Sequence, residues 1–514
     1  MEFADDAMHG DSHFDSHASL VMDYGSERKD ARMCPRKSIM LMFAVYLARK
    51  PRPACPPVAV WVIAIVCILC IGCRAPGLCC DRSVLRRGVQ EHACKSMPTQ
   101  ACPGHEVIPA SVVLSDGLSE DEAVCIALAN NSLFQATVAQ LSMAGGDAVQ
   151  ASLLANPQTL IYFPVGSKQG QYTLYAPIES YLLRPYRVKV ANREFQRIGE
   201  QLVQNGLNLV RDVRNAYTDY SLALAQSELT QDAVDLRSEI GSITEKRLAD
   251  GDISELETVA ARVDQLNAGA ARANQQMNVQ IMRARLLTLM GVPFLDITAL
   301  PTEFQPATPV AEDESTLVAR ALACRPDYHS ATWSVAAANE RAELARWMFV
   351  RMDGVIDVRT NSPGTLTGPG MRLDLPIFNR NEGGRMRADA ECIAALHNRD
   401  AIRDQIVQDV RTAHLQLNQS QNNLSILQSD VLPALQEAIA IANKGYSGGG
   451  TDYLLVLQTT SQFLDARTRI LDQTAATRRA YAELERSVAR CLAFPADAII
   501  PALEFRQENV STSK

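Results

Sequence analysis

The chain has 514 residues with 6% aromatic side chains, 21% charged side chains and a formal net charge of −8. That length would ordinarily mean several compact domains, but few aromatics and an Ala-, Gln-, Leu- and Arg-rich second half favour long helices over a large globular core. The acidic balance, with no basic stripe, excludes nucleic acid as a partner.

The first 72 residues read as an extension and a leader. Met1–Met33 is acidic and carries His9, His13 and His17 at four-residue spacing, which could set three metal ligands on one helix face. A secretory signal should start near its own methionine, so this segment is read as lying upstream of the true start. Val58–Gly72 is apolar, follows Arg49, Lys50 and Arg52, and is too short to span a membrane comfortably. It ends Leu69-Cys70-Ile71-Gly72-Cys73, which resembles a bacterial lipobox with Cys73 as the acylated residue, although Cys70 replaces the usual Leu. Plain signal cleavage or an uncleaved anchor are the alternatives. Nine of the 13 cysteines fall before the helical body. Cys125, Cys324, Cys392 and Cys491 lack metal-type spacing and read as small buried helix residues.

Residues 73–117 are rich in Pro, Cys and short polar residues and read as a linker. Periodic structure should begin at Ser119-Glu120-Asp121-Glu122 and continue through the AVCIALANNSLFQA that follows. From here the chain repeats itself. Ala127-Leu128-Ala129 returns as Ala321-Leu322-Ala323, Pro177-Ile178 as Pro376-Ile377, Asp212–Ala216 as Asp409–Ala413, and Gly251-Asp252 around Gly450-Thr451-Asp452. By subtraction the intervals are 194 to 199 residues, and four matches in one order imply a tandem duplication. The repeats span 118–292 and 314–494, separated by a Pro- and Thr-rich linker at 293–313 and followed by a tail at 495–514.

Each repeat predicts a helix, two short strands, a very long helix, a Gly-Asp turn and a second long helix. The strands are expected at Thr159–Val165, Gln171–Ile178, Phe349–Thr360 and Gly370–Ile377, with GSKQG and NSPGTLTGP as turns. Tyr172, Leu174 and Ala176 share one face of their strand. Met371, Leu373 and Leu375 share a face of theirs, with Arg372 and Asp374 opposite. These lengths lie near the nine to eleven or so residues that a tilted strand needs to cross a bilayer. Val188–Ala249 holds no proline and could reach roughly 90 Å as a helix, which no globular core accommodates. Three apolar series with alternating three- and four-residue gaps predict coiled-coil seams. They are Leu209–Val213–Ala216–Tyr220–Ala223, Leu256–Val259–Val263–Leu266–Ala270, and Leu457–Ser461–Leu464–Thr468–Leu471. Pro433 should kink or interrupt its helix.

The junction LPIFNRNEGGRMRADAE (Leu375–Glu391), together with Arg325-Pro326-Asp327, LADGDISELE and GYSGGGTDYLLVL, resembles the outer-membrane efflux proteins, the TolC-like family, over about residues 118–494. LPIFNRN is similar to the CzcC-like branch that exports heavy-metal cations. The first-repeat junction, APIESYLLRPYRVKVANRE, lacks the glycines of the family pattern. The resemblance implies a mainly α protein with short transmembrane β-strands, three copies closing a 12-stranded β-barrel that continues as a periplasmic α-helical barrel. Four strands in one chain leave polar edges that hydrocarbon cannot satisfy, and a barrel needs about eight strands or more, so the chain would have to oligomerise. The implied role is the passive outer-membrane exit duct of a tripartite efflux or type I secretion system, working with a periplasmic adaptor and an inner-membrane pump.

The two Gly-Asp turns would then form the periplasmic entrance and meet the adaptor. Gly251 and Gly448–Gly450 would reverse the chain and Asp252 and Asp452 would cap the following helices. Asp250, Asp452 and Tyr446 would stand closest to the constriction; turn and cap chemistry alone also accounts for these residues. Some relatives carry carboxylates one turn into the last helix, where this chain has Leu455 and Gln458. Neither a resident metal nor a cofactor is called for. His329, His397 and His414 lie far apart, and no zinc-binding, nucleophile-elbow or phosphate-loop motif is present. The rival reading is a soluble periplasmic coiled-coil scaffold or adaptor, separated from the duct by the two matching strand pairs.

Overall fold

The computed structural model describes residues 106–109, 112–113, 117–165, 169–296, 300, 304–361 and 364–489. The leader, the histidines at 9, 13 and 17, Cys73, Cys491 and the tail lie outside the described residues. Helix α1 (Glu120–Asn130) starts at a reciprocal cap: Ser119 Oγ accepts from the Glu122 N–H at 3.3 Å while the Glu122 carboxylate accepts from the Ser119 N–H at 3.0 Å. It does not run on as expected. Asn131 breaks it and caps α2 (Ser132–Ser152), its side-chain oxygen accepting from the Phe134 N–H at 2.9 Å while its amide donates to the Leu289 carbonyl at 2.8 Å. The second half repeats the break. Helices α5 (Glu314–Cys324) and α6 (Pro326–Trp347) are divided at Arg325, 194 positions after Asn131 by subtraction. Pro326 suits the first helical position, where an N–H has no partner anyway.

The strands β1 (Gln158–Tyr162), β2 (Gln171–Pro177), β3 (Met352–Asn361) and β4 (Gly364–Leu373) form one antiparallel sheet in the order β1-β2-β3-β4. β1 and β2 are shorter than expected, at 5 and 7 residues. β4 lies six residues earlier than predicted (364 against 370), so most of NSPGTLTGP is strand rather than turn. Thr365, Leu366 and Thr367 favour extended backbone, and the strand continues through Pro369, opposite Ile356 of β3. The register aligns Ile161 with Tyr172, Tyr172 with Val358, Leu174 with Ile356, and Gly354 with Met371. One face is therefore free of charge and mainly apolar, with Thr159, Thr360, Thr365 and Thr367 its polar members, and the other carries Gln171, Thr173, Asp353, Asp357, Arg359 and Arg372.

β2 passes straight into α3 (Ile178–Ala249), a helix of 72 residues that extends roughly 110 Å at ~1.5 Å per residue. It begins ten residues before the predicted Val188 and continues through Pro185. The missing glycines at this junction are explained: no turn intervenes. At the other junction eight residues separate β4 from α7 (Glu382–Ile426), so Pro177 and Pro376, matched in sequence, hold different structural positions. α4 (Glu255–Met290) returns alongside α3. Beyond α7 a π-helical segment (Leu427–Val431) precedes α8 (Leu432–Ser447), and α9 (Tyr453–Val488) completes the described chain. Pro433 interrupts the helix as expected. In a regular α-helix its ring would crowd the carbonyl four residues back, at Ser429, and the backbone takes the π form over that stretch.

The predicted seams fare differently. Leu209, Val213, Ala216, Tyr220 and Ala223 are all buried and join the main core beside α1, α2 and α4. The Leu457–Leu471 series is only half-buried, because α9 buries Tyr453, Val456 and Thr460 instead. The α4 series turns the other way. Leu256, Val259, Val263, Leu266 and Ala270 face away from the chain's own core, and Ala261 and Ala268 pack inward. Cys125, Cys324 and Cys392 are half-buried rather than buried.

Candidate functional sites at the sheet and the helical turns

The first turn joins α3 to α4. The N–H groups of Asp250, Gly251 and Asp252 donate to the carbonyls of Lys246, Leu248 and Arg247 at 3.0, 3.0 and 2.9 Å, and Gly251 adopts φ 81° to close the helix. All three residues are exposed. Asp252 does not cap α4. That role falls to Ser254, whose hydroxyl accepts from the Glu257 N–H at 3.4 Å. The signal was present in the sequence as Ser-x-x-Glu at 254–257.

The second turn joins α8 to α9. Only Gly449, at φ 75°, has a left-handed backbone; Gly448 is at φ −89°, and the exposed Gly450 donates its N–H to the Gly445 carbonyl at 2.9 Å. Asp452 sits at the N-cap of α9 and is exposed, but its side chain makes no capping bond; its carbonyl accepts from the Leu455 N–H at 3.2 Å. Tyr446 does not project from the turn. It is 1% exposed, its hydroxyl lies 3.1 Å from the Thr244 hydroxyl, and the Arg247 guanidinium stands 4.7 Å from its ring centroid. The Tyr453 hydroxyl donates to Asp264 at 2.7 Å, and burial followed by that carboxylate pushes the phenol pKa upward. Both tyrosines pack with Ile240, Ala261, Ala442 and Val456. The two turns are thus brought together by side chains from opposite halves of the chain, a pairing that sequence spacing could not reveal.

Leu455 and Gln458 are both exposed, and no carboxylate stands at either position. His329 Nε2 lies 2.9 Å from the Ala323 carbonyl and His414 Nε2 lies 3.2 Å from the Asn418 amide, while His397 is exposed. Among the described residues no three His, Cys, Asp or Glu side chains gather as a bound metal would require. No described helix is long and apolar enough to cross a membrane.

Arg325, of the Arg-Pro-Asp motif, is 2% exposed where α5 meets α6. Its guanidinium donates to Asp327 at 3.0 and 2.5 Å and to Asp409 on α7 at 3.0 Å, and Arg486 on α9 reaches the same Asp409 at 3.3 Å. Burial alone would raise the Asp409 pKa. Hydrogen bonds from Gln405 and Arg325, with the charges of Arg325 and Arg486, outweigh it and hold the carboxyl below the usual aspartate range. This node ties three helices of the second half around one buried guanidinium.

At the sheet, Asp357 accepts from Thr173 at 2.8 Å, Gln171 at 2.9 Å and Arg359 at 2.8 Å, which ties β2 to β3 across the polar face. Among the described residues β1 and β4 each keep one edge without a partner strand. A four-stranded sheet with an apolar face, a polar face and two open edges, continuous with a helix of 72 residues, defines a membrane duct completed by further subunits.

The chain belongs to the outer membrane efflux protein family, whose profile matches residues 126–292 and 317–490. It is 26% identical over 388 residues to the cobalt-zinc-cadmium resistance protein CzcC of Cupriavidus metallidurans, spanning 73% of this chain and 90% of that protein. The fold is similar to the channel CusC (TM-score 0.63, 17% identity, 77% of this chain and 99% of that one). It is also similar to MtrE of Neisseria gonorrhoeae in its open state (TM-score 0.59, 17% identity, 77% and 97%). The protein is an outer-membrane exit duct that extends into the periplasm, which sets aside the soluble scaffold.

Proposed function

We propose that three copies of this chain close a twelve-stranded barrel and a helical tube, and that the assembly passes cargo handed over by a periplasmic adaptor and an inner-membrane pump. The observation that carries this reading is the sheet: apolar on one face, polar on the other, open at β1 and β4, and joined to α3 without a turn. Barrel closure is the way such edges survive in hydrocarbon. The outward stripe of α4 supports the same assembly, since Leu256, Val259, Val263 and Leu266 have no partner in their own core and would form the seam with a neighbouring subunit.

In this assembly the turns at Asp250–Asp252 and Gly450–Asp452 form the entrance that meets the adaptor, with Tyr446 bracing them from behind. The likeness to CzcC supports divalent transition-metal cations as cargo. Leu455 and Gln458 mean that any selection among cations is not made by carboxylates at those positions. Secretion and acylation at Cys73 complete the proposal, with mass spectrometry of the mature N-terminus as the check.

Planar-bilayer recording of the purified full-length protein is the test. A single conductance level of defined size supports the duct. A folded, detergent-stable oligomer with no conductance refutes it. Loss of the gene should sensitise its host to zinc, cobalt or cadmium, and unchanged tolerance to all three removes the metal cargo.

A further inference from the structure

Where the sheet gives way to the helices, the apolar face does not end with the strands. The position a Cβ on Gly354 would occupy is 3.3 Å from Ile178 Cδ1, which sets Ile178 over the apolar side of the sheet in the first turn of α3. Leu182 and Tyr186 follow at four-residue steps, near the same helix face. Ile178 and Leu182 are 38% and 53% exposed. Tyr186 stacks on Trp347, the last residue of α6, with ring centroids 6.5 Å apart, and Trp347 remains 47% exposed. One turn further Lys189 stands 5.9 Å from the Tyr186 ring centroid and keeps its ammonium in solvent beside Glu340. The other junction adds to this level: the Asn381 amide donates to the Ala345 carbonyl at 2.9 Å, holding the loop that carries the exposed Leu375, Ile377 and Phe378 against the end of α6.

The order along this column is aliphatic, then aromatic, then cationic. Such an order matches the passage from hydrocarbon through the headgroup layer to water, where rings with one polar edge and long-stemmed lysines are favoured. The distances agree. Tyr186 lies roughly 12 Å along the helix from the end of the sheet, and helical side chains lean back toward the helix N-terminus, here toward the sheet. That lean returns the ring to a headgroup layer about 5–8 Å deep.

We propose that the Tyr186–Trp347 pair is an interfacial anchor that seats in the phospholipid headgroups of the inner leaflet of the outer membrane, with Lys189 directed at lipid phosphate. This rests on the reading that the sheet crosses that membrane. The occupant is lipid rather than a second subunit because the column continues the sheet face that must meet hydrocarbon.

The chain has three tryptophans, Trp61, Trp333 and Trp347. Full-length protein carrying Trp61→Phe and Trp333→Phe reports Trp347 alone. Its counterpart with Trp61→Phe and Trp347→Phe reports Trp333, which lies 14 residues, or roughly 21 Å, deeper into the periplasm along α6. Both are reconstituted in phosphatidylethanolamine–phosphatidylglycerol vesicles containing lipid brominated near either the glycerol end or the methyl end of the acyl chain. The expected result is that glycerol-end bromine quenches Trp347 roughly twofold more than methyl-end bromine and leaves Trp333 unquenched. Equal quenching of both tryptophans, stronger quenching of Trp347 by methyl-end bromine, or no lipid quenching of Trp347 in protein that floats with the vesicles overturns the anchor. Acrylamide then separates a solvated ring from one buried between subunits, and either finding counts against lipid. Failure of the protein to float removes the membrane reading of the sheet itself.

Discussion

Arg325 shows how a single side chain carries more than its local geometry. Removing it as Arg325→Ala takes one charged partner from the partly buried Asp409 carboxylate and leaves it Arg486 and Gln405, a loss of about 1–3 kcal/mol. Thermal or denaturant unfolding in detergent should show that loss, and Arg325→Met combined with Asp409→Asn should recover much of it. The pH dependence follows from the same contacts. Asp409 has a lowered pKa in the folded chain, so its contribution is complete above the ordinary aspartate range and fades as pH falls through the folded value. Asp409→Asn should flatten the acid limb of the stability curve, and an unchanged limb refutes the assignment. Glycines at left-handed positions separate two costs. Gly251 (φ 81°) has open space where a Cβ would go, so Gly251→Ala should cost only the backbone penalty of about 1–2 kcal/mol. Gly291 (φ 75°) would place its Cβ 2.5 Å from the Asn130 carbonyl oxygen, and Gly291→Ala should cost distinctly more in the same unfolding measurement.

Among the elements, α4 states the assembly problem most directly. An apolar stripe at coiled-coil spacing that faces away from its own core is a seam without its other half. Val259→Glu and Leu266→Glu should leave the protomer's helical circular dichroism intact while shifting the protein from trimer to monomer in light scattering. The periodicity of α4 was legible in the sequence and its direction was not. Spacing reports that a helix has an apolar face, whereas the identity of the covering surface depends on which helices pack beside it. The same limit applies at β4. Gly and Pro were read as turn residues, yet pairing with β3 draws the strand out through them. At Asn131 the helix break carried the ordinary capping residue, hidden inside an uninterrupted apolar pattern.

For the whole molecule, closure is the deciding property. If β1 of one copy pairs with β4 of the next, then cysteine pairs drawn from Leu160 on β1 and from Leu366, Gly368 or Gly370 on β4 should crosslink between subunits, in a background with the native cysteines other than Cys73 replaced. At the matching register the denaturing gel should show dimer and trimer bands and nothing larger. Bands that continue past trimer, or no crosslink at any register, argue against a closed three-chain barrel.

The sequence alone determined the duplicated order of elements, the placement of strand pairs before long helices, and the need for partner chains. All three follow from local periodicity and from the cost of unsatisfied backbone in lipid. Only the tertiary structure decided that Tyr446 is buried between two hairpins, that Arg325 gathers α7 and α9, and that the stripe of α4 points outward. Each of these depends on which surfaces meet across a separation of up to about two hundred residues, and composition and spacing carry no record of that.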